Sequence, residues 1–195
     1  MPELPQKKVG IIACSGEEIA EGTVTRLAAL RVLHELRPDD TVTICLPLFV
    51  AGGEGDRAFA RFYPTIAVDG CDLRCAARAT ERYSAKPAAG VVVSDVVAEC
   101  GLARPQGRRQ LDEAGQAAVL ATADRVAARV DELLAKPWSR RRGEFISEPA
   151  VVAQFVADPS LLIFGAPMAP LAPATCGYGS PGSPEAGRAT DAEGA

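Results

Sequence analysis

From Lys7 onward, short β-branched runs alternate with longer segments whose apolar residues recur every three or four positions. This is the signature of βαβ units and a parallel sheet. "KKVGIIAC" predicts a first strand. A Gly-rich turn follows, then "GTVTRLAALRVLHELR", a helix with Val24, Leu27, Leu30 and Leu33 at helical spacing, stopped by Pro38. "DTVTICLPL" predicts a second strand, "GDRAFARFYP" a short helix, "TIAVDG" a third strand, "CDLRCAARATERYSA" a helix and "GVVVSDVV" a fourth strand. The longest helical pattern, "QLDEAGQAAVLATADRVAARVDELLAK", lines up Val119, Ala123, Val126, Val130 and Leu133 as one stripe able to cover a face of the sheet, and Pro137 ends it. The expected fold is therefore α/β: a doubly wound, Rossmann- or flavodoxin-like sheet of about four parallel strands with flanking helices.

This pattern divides the chain. Residues 7–136 hold the α/β domain, 137–171 form a C-terminal appendage with a helix expected after Ser147 and Pro149 in its first turn, and 172–195 are Gly, Pro, Ala and Ser with little to bury, expected to be disordered. The apolar stretch 145–168 could pack on the domain or serve as a homo-oligomer interface.

Composition narrows the function. At 48 % hydrophobic over 195 residues the chain can bury a core without covalent staples, so its six cysteines are not needed to hold it together. A net charge of −4 with 5 % aromatic residues gives no reason to expect a nucleic-acid partner. The one basic cluster, Arg140 to Arg142, could touch an anionic surface, but a solvated linker is the plainer reading. No apolar run approaches the roughly 18 residues of a membrane helix, and the N-terminal apolar stretch is too short for a signal sequence. The cytoplasm is the expected location, and there cysteines point to reduced thiols, metal ligation or redox chemistry more than to structural disulfides.

Ligands of open α/β sheets bind outside the carboxyl ends of the strands. Cys14 closes the predicted first strand, Cys45 lies at the end of the second, and Cys71 follows the third by a Gly turn; Cys75, four residues on, shares its helix face. Four sulfurs at one rim suit a tetrahedral soft-ligand site, with zinc the most ordinary occupant and an iron–sulfur cluster the alternative. The plain alternative is that Cys14 and Cys45 are small buried hydrophobes. A helix beginning near Asp72, with Arg74 and Arg78 close by, would favour a Cys71 thiolate, which fits metal ligation but also a thiol redox or sulfur-transfer enzyme using Cys71 and Cys75.

"IIACSG", "GTVTRLAAL", the cysteine of "ICLPL", "VDGCDLRCAAR" and "VVVSDVV", in that order, resemble the DGC-domain family, described as zinc-binding and named for the triplet that here is Asp69, Gly70 and Cys71. The resemblance covers roughly residues 7–100 and, more loosely, the helix to about 135. It implies that Cys14, Cys45, Cys71 and Cys75 are the metal ligands and that Asp95 matches a recurring acidic position after the fourth strand. Asp69 could brace Cys71 or serve simple Asp-Gly turn chemistry, and Asp95 could orient a thiol or cap the next segment. "CSGEEIAEG" fails as a phosphate loop: it lacks the lysine and Gly spacing, and Glu17 and Glu18 would repel a phosphate. The single histidine, His34, sits mid-helix and gives little support to histidine-based catalysis.

Overall fold

The computed structural model describes residues 7–146. Its β-branched runs form a four-stranded parallel sheet, β1 (Val9–Ala13), β2 (Thr41–Thr43), β3 (Thr65–Asp69) and β4 (Ala89–Val92), in the order β2-β1-β3-β4. Register pairs Gly10 with Val42 and with Thr65, and Val68 with Val91, so the two inner strands, β1 and β3, are flanked on both sides. The connections are helical: α1 (Ala20–Arg31), which widens into a π-helical turn at Val32–Leu36, α2 (Leu46–Ala51), α3 (Glu54–Arg57), α4 (Phe59–Phe62), α5 (Cys75–Tyr83), α6 (Val93–Glu99) and α7 (Glu113–Leu134). A two-stranded hairpin follows, β5 (Trp138–Ser139) with β6 (Glu144–Phe145). This is the doubly wound α/β architecture expected from the sequence.

Strand side chains alternate between faces. Val9, Ile11, Ile66, Val68 and Val91 point into one core, closed by α1 and α7 through residues such as Ala28, Val32, Val126 and Val130. Ile12 and Ala67 point to the other, closed by Phe49 of α2 and Ala76 of α5. The five-residue stripe foreseen on α7 is buried throughout. On α1, however, the buried face is Val24, Ala28, Ala29 and Val32, while Leu27 and Leu30 are 36 % and 37 % exposed. Ala28 and Ala29 let α1 lie against α7, and the two leucines keep about a third of their surface in solvent.

Three boundaries differ from expectation. The second strand stops at Thr43, because Pro47 pre-forms the first turn of α2, so "CLPL" is a helix start with Cys45 at its N-cap. The fourth strand stops at Val92, and "VSDVVAE" coils into α6, whose Val93, Val96 and Val97 are buried on one helical face. The helix after the third strand begins at Cys75, not near Asp72.

The basic cluster is the turn of the hairpin, not a free linker. Gly143, at φ +68°, closes it by donating to the Ser139 carbonyl. Arg140 lies over the Phe62 ring, Arg142 pairs with Glu144, and the Trp138 indole donates to the Arg61 carbonyl, fastening the hairpin to α4. Of the 145–168 stretch only Phe145 and Ile146 are described, and Phe145 packs on the main core. The helix expected after Ser147 and the tail lie outside the described residues. Among the described residues no helix is long and apolar enough to cross a membrane.

Candidate functional site

The loop after β1 is drawn tightly against its neighbours. Cys14 ends the strand with its amide donating to the Val68 carbonyl of β3, and Ser15 then turns the chain at φ +49°, a left-handed conformation that non-glycine residues rarely adopt. Thr25, fully buried in α1, holds that turn: its hydroxyl accepts from the Ser15 amide at 3.1 Å, donates to the Gly22 carbonyl at 2.7 Å and lies 3.7 Å from the Cys14 sulfur. Two glycines make the closeness possible. A Cβ on Gly22 would stand 1.8 Å from the Gly16 carbonyl oxygen, and one on Gly70 would stand 3.0 Å from the backbone of Glu21 and Gly22.

The same closeness brings the first thiol to the Asp-Gly-Cys turn. The Gly70 amide donates to the Cys14 sulfur at 3.3 Å, although these residues are 56 positions apart. Asp69 is 2 % exposed and reaches forward, Oδ1 accepting from the Ala76 amide at 2.7 Å and Oδ2 from Ala77 at 3.1 Å. It thus satisfies amides at the start of α5, whose formal N-cap is Arg74 at φ +49° and offers no side-chain bond. Burial raises the Asp69 carboxyl above the usual range, while the two amides and then Arg74 act in the opposite direction.

The four expected thiols are all free: Cys14 and Cys71 half-buried, Cys45 and Cys75 exposed. Cys100 is disulfide-bonded and is no candidate ligand. Cys14 and Cys45 line one cleft at the carboxyl ends of β1 and β2. Although Cys75 is exposed, partial desolvation raises its thiol pKa, followed by electrostatic repulsion from Cys14, Asp69 and Cys71, with Arg78 opposing. Among the described residues, however, no three His, Cys, Asp or Glu side chains are disposed so that they could hold a metal ion. The donor set has the soft-sulfur chemistry of a zinc site, but it is not drawn together into one.

Two readings made from the sequence are corrected. Cys71 does not sit at a helix N-terminus, because Cys71 to Arg74 form a turn, with the Arg74 amide donating to the Cys71 carbonyl, and the first amides of α5 go to Asp69. Cys71 and Cys75 consequently do not share a helix face. Asp95 follows the fourth strand by three residues and lies exposed in the first turn of α6, within 3.4 Å of the Ser94 hydroxyl. His34 is exposed on the π-helical turn.

Sequence reasoning missed Thr25 and the cleft arginines. A threonine on the apolar face of "GTVTRLAAL" was the available signal for the first. Arg108 and Arg109, which line the cleft beside Cys14 and Cys45, come from the segment between α6 and α7, and no local pattern announces where that segment folds.

Among curated proteins and among solved structures, nothing matches the chain. A family model, the DGC domain, matches residues 10–121, a span that contains all four free thiols and the Asp-Gly-Cys turn built above. The chain belongs to the DGC-domain family.

Proposed function

We propose that the protein binds one zinc ion through Cys14, Cys45, Cys71 and Cys75. The observation that carries this reading is the Gly70 N–H donated to the Cys14 sulfur at 3.3 Å, which sets the thiol ending β1 against the turn that bears Cys71. Two further facts support it. Cys45 lines the same cleft as Cys14, and the Cys75 thiol is disfavoured as a thiolate first by desolvation and then by repulsion from Cys14, Asp69 and Cys71, a repulsion that a divalent cation would relieve. In this reading the ion draws the exposed Cys45 and Cys75 inward, so that the ligand set is completed on binding rather than before it. Bound zinc supplies a cross-link between strand ends, and a site closed by four sulfurs favours metal handling or structure over catalysis. Arg74 and Arg78 would offset part of the negative charge of the thiolates.

Elemental analysis after anaerobic purification tests the proposal. About one zinc per chain is expected for the wild type, and less than about a tenth for Cys71→Ser and for Cys45→Ser. All four thiols should resist alkylation until a chelator is added. Wild type that purifies without metal, takes up none on titration and exposes all four thiols at once would refute it; a disulfide between Cys71 and Cys75 formed under mild oxidant would then favour thiol redox chemistry.

A further inference from the structure

The cleft at the ends of β1 and β2 is lined by more than thiols. Arg26 of α1 and Arg108 and Arg109 of the segment between α6 and α7 border it, Glu17 is the single carboxylate among the described residues that line it, and its volume is about 1360 Å³. Among the described residues, none of these three guanidinium groups has a carboxylate partner; other arginines, such as Arg61 and Arg141, also lack one, but these three border a single concave site. Charges that the described residues leave without carboxylate partners around a concave site are available to a ligand.

The segment that presents two of them is fastened in place. Arg104 pairs at 3.0 Å with Glu21, itself 7 % exposed, the Thr23 hydroxyl donates to the Arg108 carbonyl, and Gln106 and Asp112 bond each other through the Gln106 amide and carbonyl. Gly107, at φ +82°, makes the bend, where a Cβ would meet the Gln110 carbonyl oxygen at 2.1 Å. The backbone that carries Arg108 and Arg109 is therefore held against α1 at the cleft, which lessens the ordering cost of gripping a ligand.

We propose that this cleft binds a small molecule bearing a phosphate group, gripped by Arg26, Arg108 and Arg109. Apart from Cys14 and Cys45, the charged side chains among the described residues of the lining are these three cations and the carboxylate of Glu17, an excess of positive charge that suits the dianion of a phosphate monoester near neutral pH. The guanidinium fork suits phosphate oxygens. The volume exceeds the roughly 1,000 Å³ of large ligand pockets, leaving room for an organic body against the apolar wall of Leu46, Pro47 and Val50. The site also lies where open α/β sheets bind ligands, at the strands' carboxyl ends. It differs from a phosphate loop in that side chains from α1 and a distant segment, not the backbone after β1, supply the recognition. The ligand would lie beside Cys14 and Cys45, but its binding does not depend on zinc.

Isothermal titration calorimetry of the full chain with inorganic phosphate and with adenosine monophosphate tests this at constant ionic strength, with zinc content measured on the same samples. Saturable binding is expected for the wild type, tighter for the nucleotide. It should weaken at least about tenfold in the Arg108→Gln, Arg109→Gln double variant and in Arg26→Gln, and be unchanged in Arg140→Gln, whose side chain lies over Phe62. Because the three arginines are exposed, the variants should keep the wild-type circular dichroism spectrum. Absence of saturable binding, or binding that the cleft variants leave intact, overturns the site, and equal displacement by succinate overturns the phosphate assignment.

Discussion

Asp69 shows how one side chain couples the strand end to the helix that follows. Its carboxylate takes two amides of the α5 first turn that would otherwise be orphaned, and it does so from within the core, where water cannot replace it. Removing it should cost more than removing an exposed cap. Asp69→Ala is expected to lower unfolding free energy by about 2–3 kcal/mol in urea denaturation, and Asp69→Asn, which keeps one acceptor oxygen, by about half as much. A cost below about 0.5 kcal/mol for the alanine variant would mean that water or a rearranged Arg74 turn satisfies those amides. Because Cys75 opens the same helix, any loosening reaches that thiol first.

At the scale of elements, α7 fixes the domain, and its polar attachments complement its apolar stripe. Asp112 caps its start, accepting from the Gly115 amide at 2.8 Å, and the Lys7 ammonium donates to the Leu133, Leu134 and Lys136 carbonyls at its end. In the last turn of α7, Asp131 is gripped by Arg37 with a two-pronged bond at 2.7 and 2.6 Å, tying the segment before β2 to the helix. The bond to Arg37 is the chief reason that the Asp131 carboxyl lies below its usual value. A depressed folded pKa contributes stability that is present above the unfolded value, near 4, and is lost as pH falls through the folded one. Both partners are partly exposed, so Asp131→Asn should cost only about 0.5 kcal/mol at pH 7, and its denaturation midpoint should converge with that of the wild type in acid. A difference that persists unchanged at pH 3 would assign the effect to packing.

The stripe of α7 was legible because five apolar residues at helical spacing admit one arrangement. So was the sheet, whose inner strands Val9–Ala13 and Thr65–Asp69 are short apolar runs ending at glycine or cysteine turns. Where strand and helix share residues, the pattern failed: "VVVSDVV" fits two periods, and only burial of Val93, Val96 and Val97 on a common helical face decides for α6. The site was legible in part for the same reason. Strand ends placed Cys14 and Cys45 at one rim, but the helix start at Cys75 depends on Asp69 reaching across seven residues to the Ala76 amide, a tertiary contact that local pattern does not encode.

Over the whole molecule, the four thiols sit on three separate pieces of chain: the end of β1, the N-cap of α2 and the turn between β3 and α5. An ion held by all of them would therefore stabilise the tertiary fold, not one local turn. Binding to the folded chain at a hundred times the dissociation constant adds about 2.7 kcal/mol to unfolding free energy, less whatever the unfolded cysteines retain. Zinc-loaded wild type should accordingly unfold at higher urea than the chelated protein, and Cys14→Ser, Cys45→Ser and Cys71→Ser should each lose most of that increment while unfolding much as the chelated wild type does. The comparison separates two arrangements. If the metal rests on the Cys71 and Cys75 turn alone, the increment survives in Cys14→Ser and Cys45→Ser; if it spans the strand ends, all three variants lose it together, because each removes a connection between different parts of the sheet. Curves that coincide for loaded and chelated wild type would mean that no ion joins the strand ends, leaving the Cys14 and Gly70 contact as a packing feature of the β1 loop.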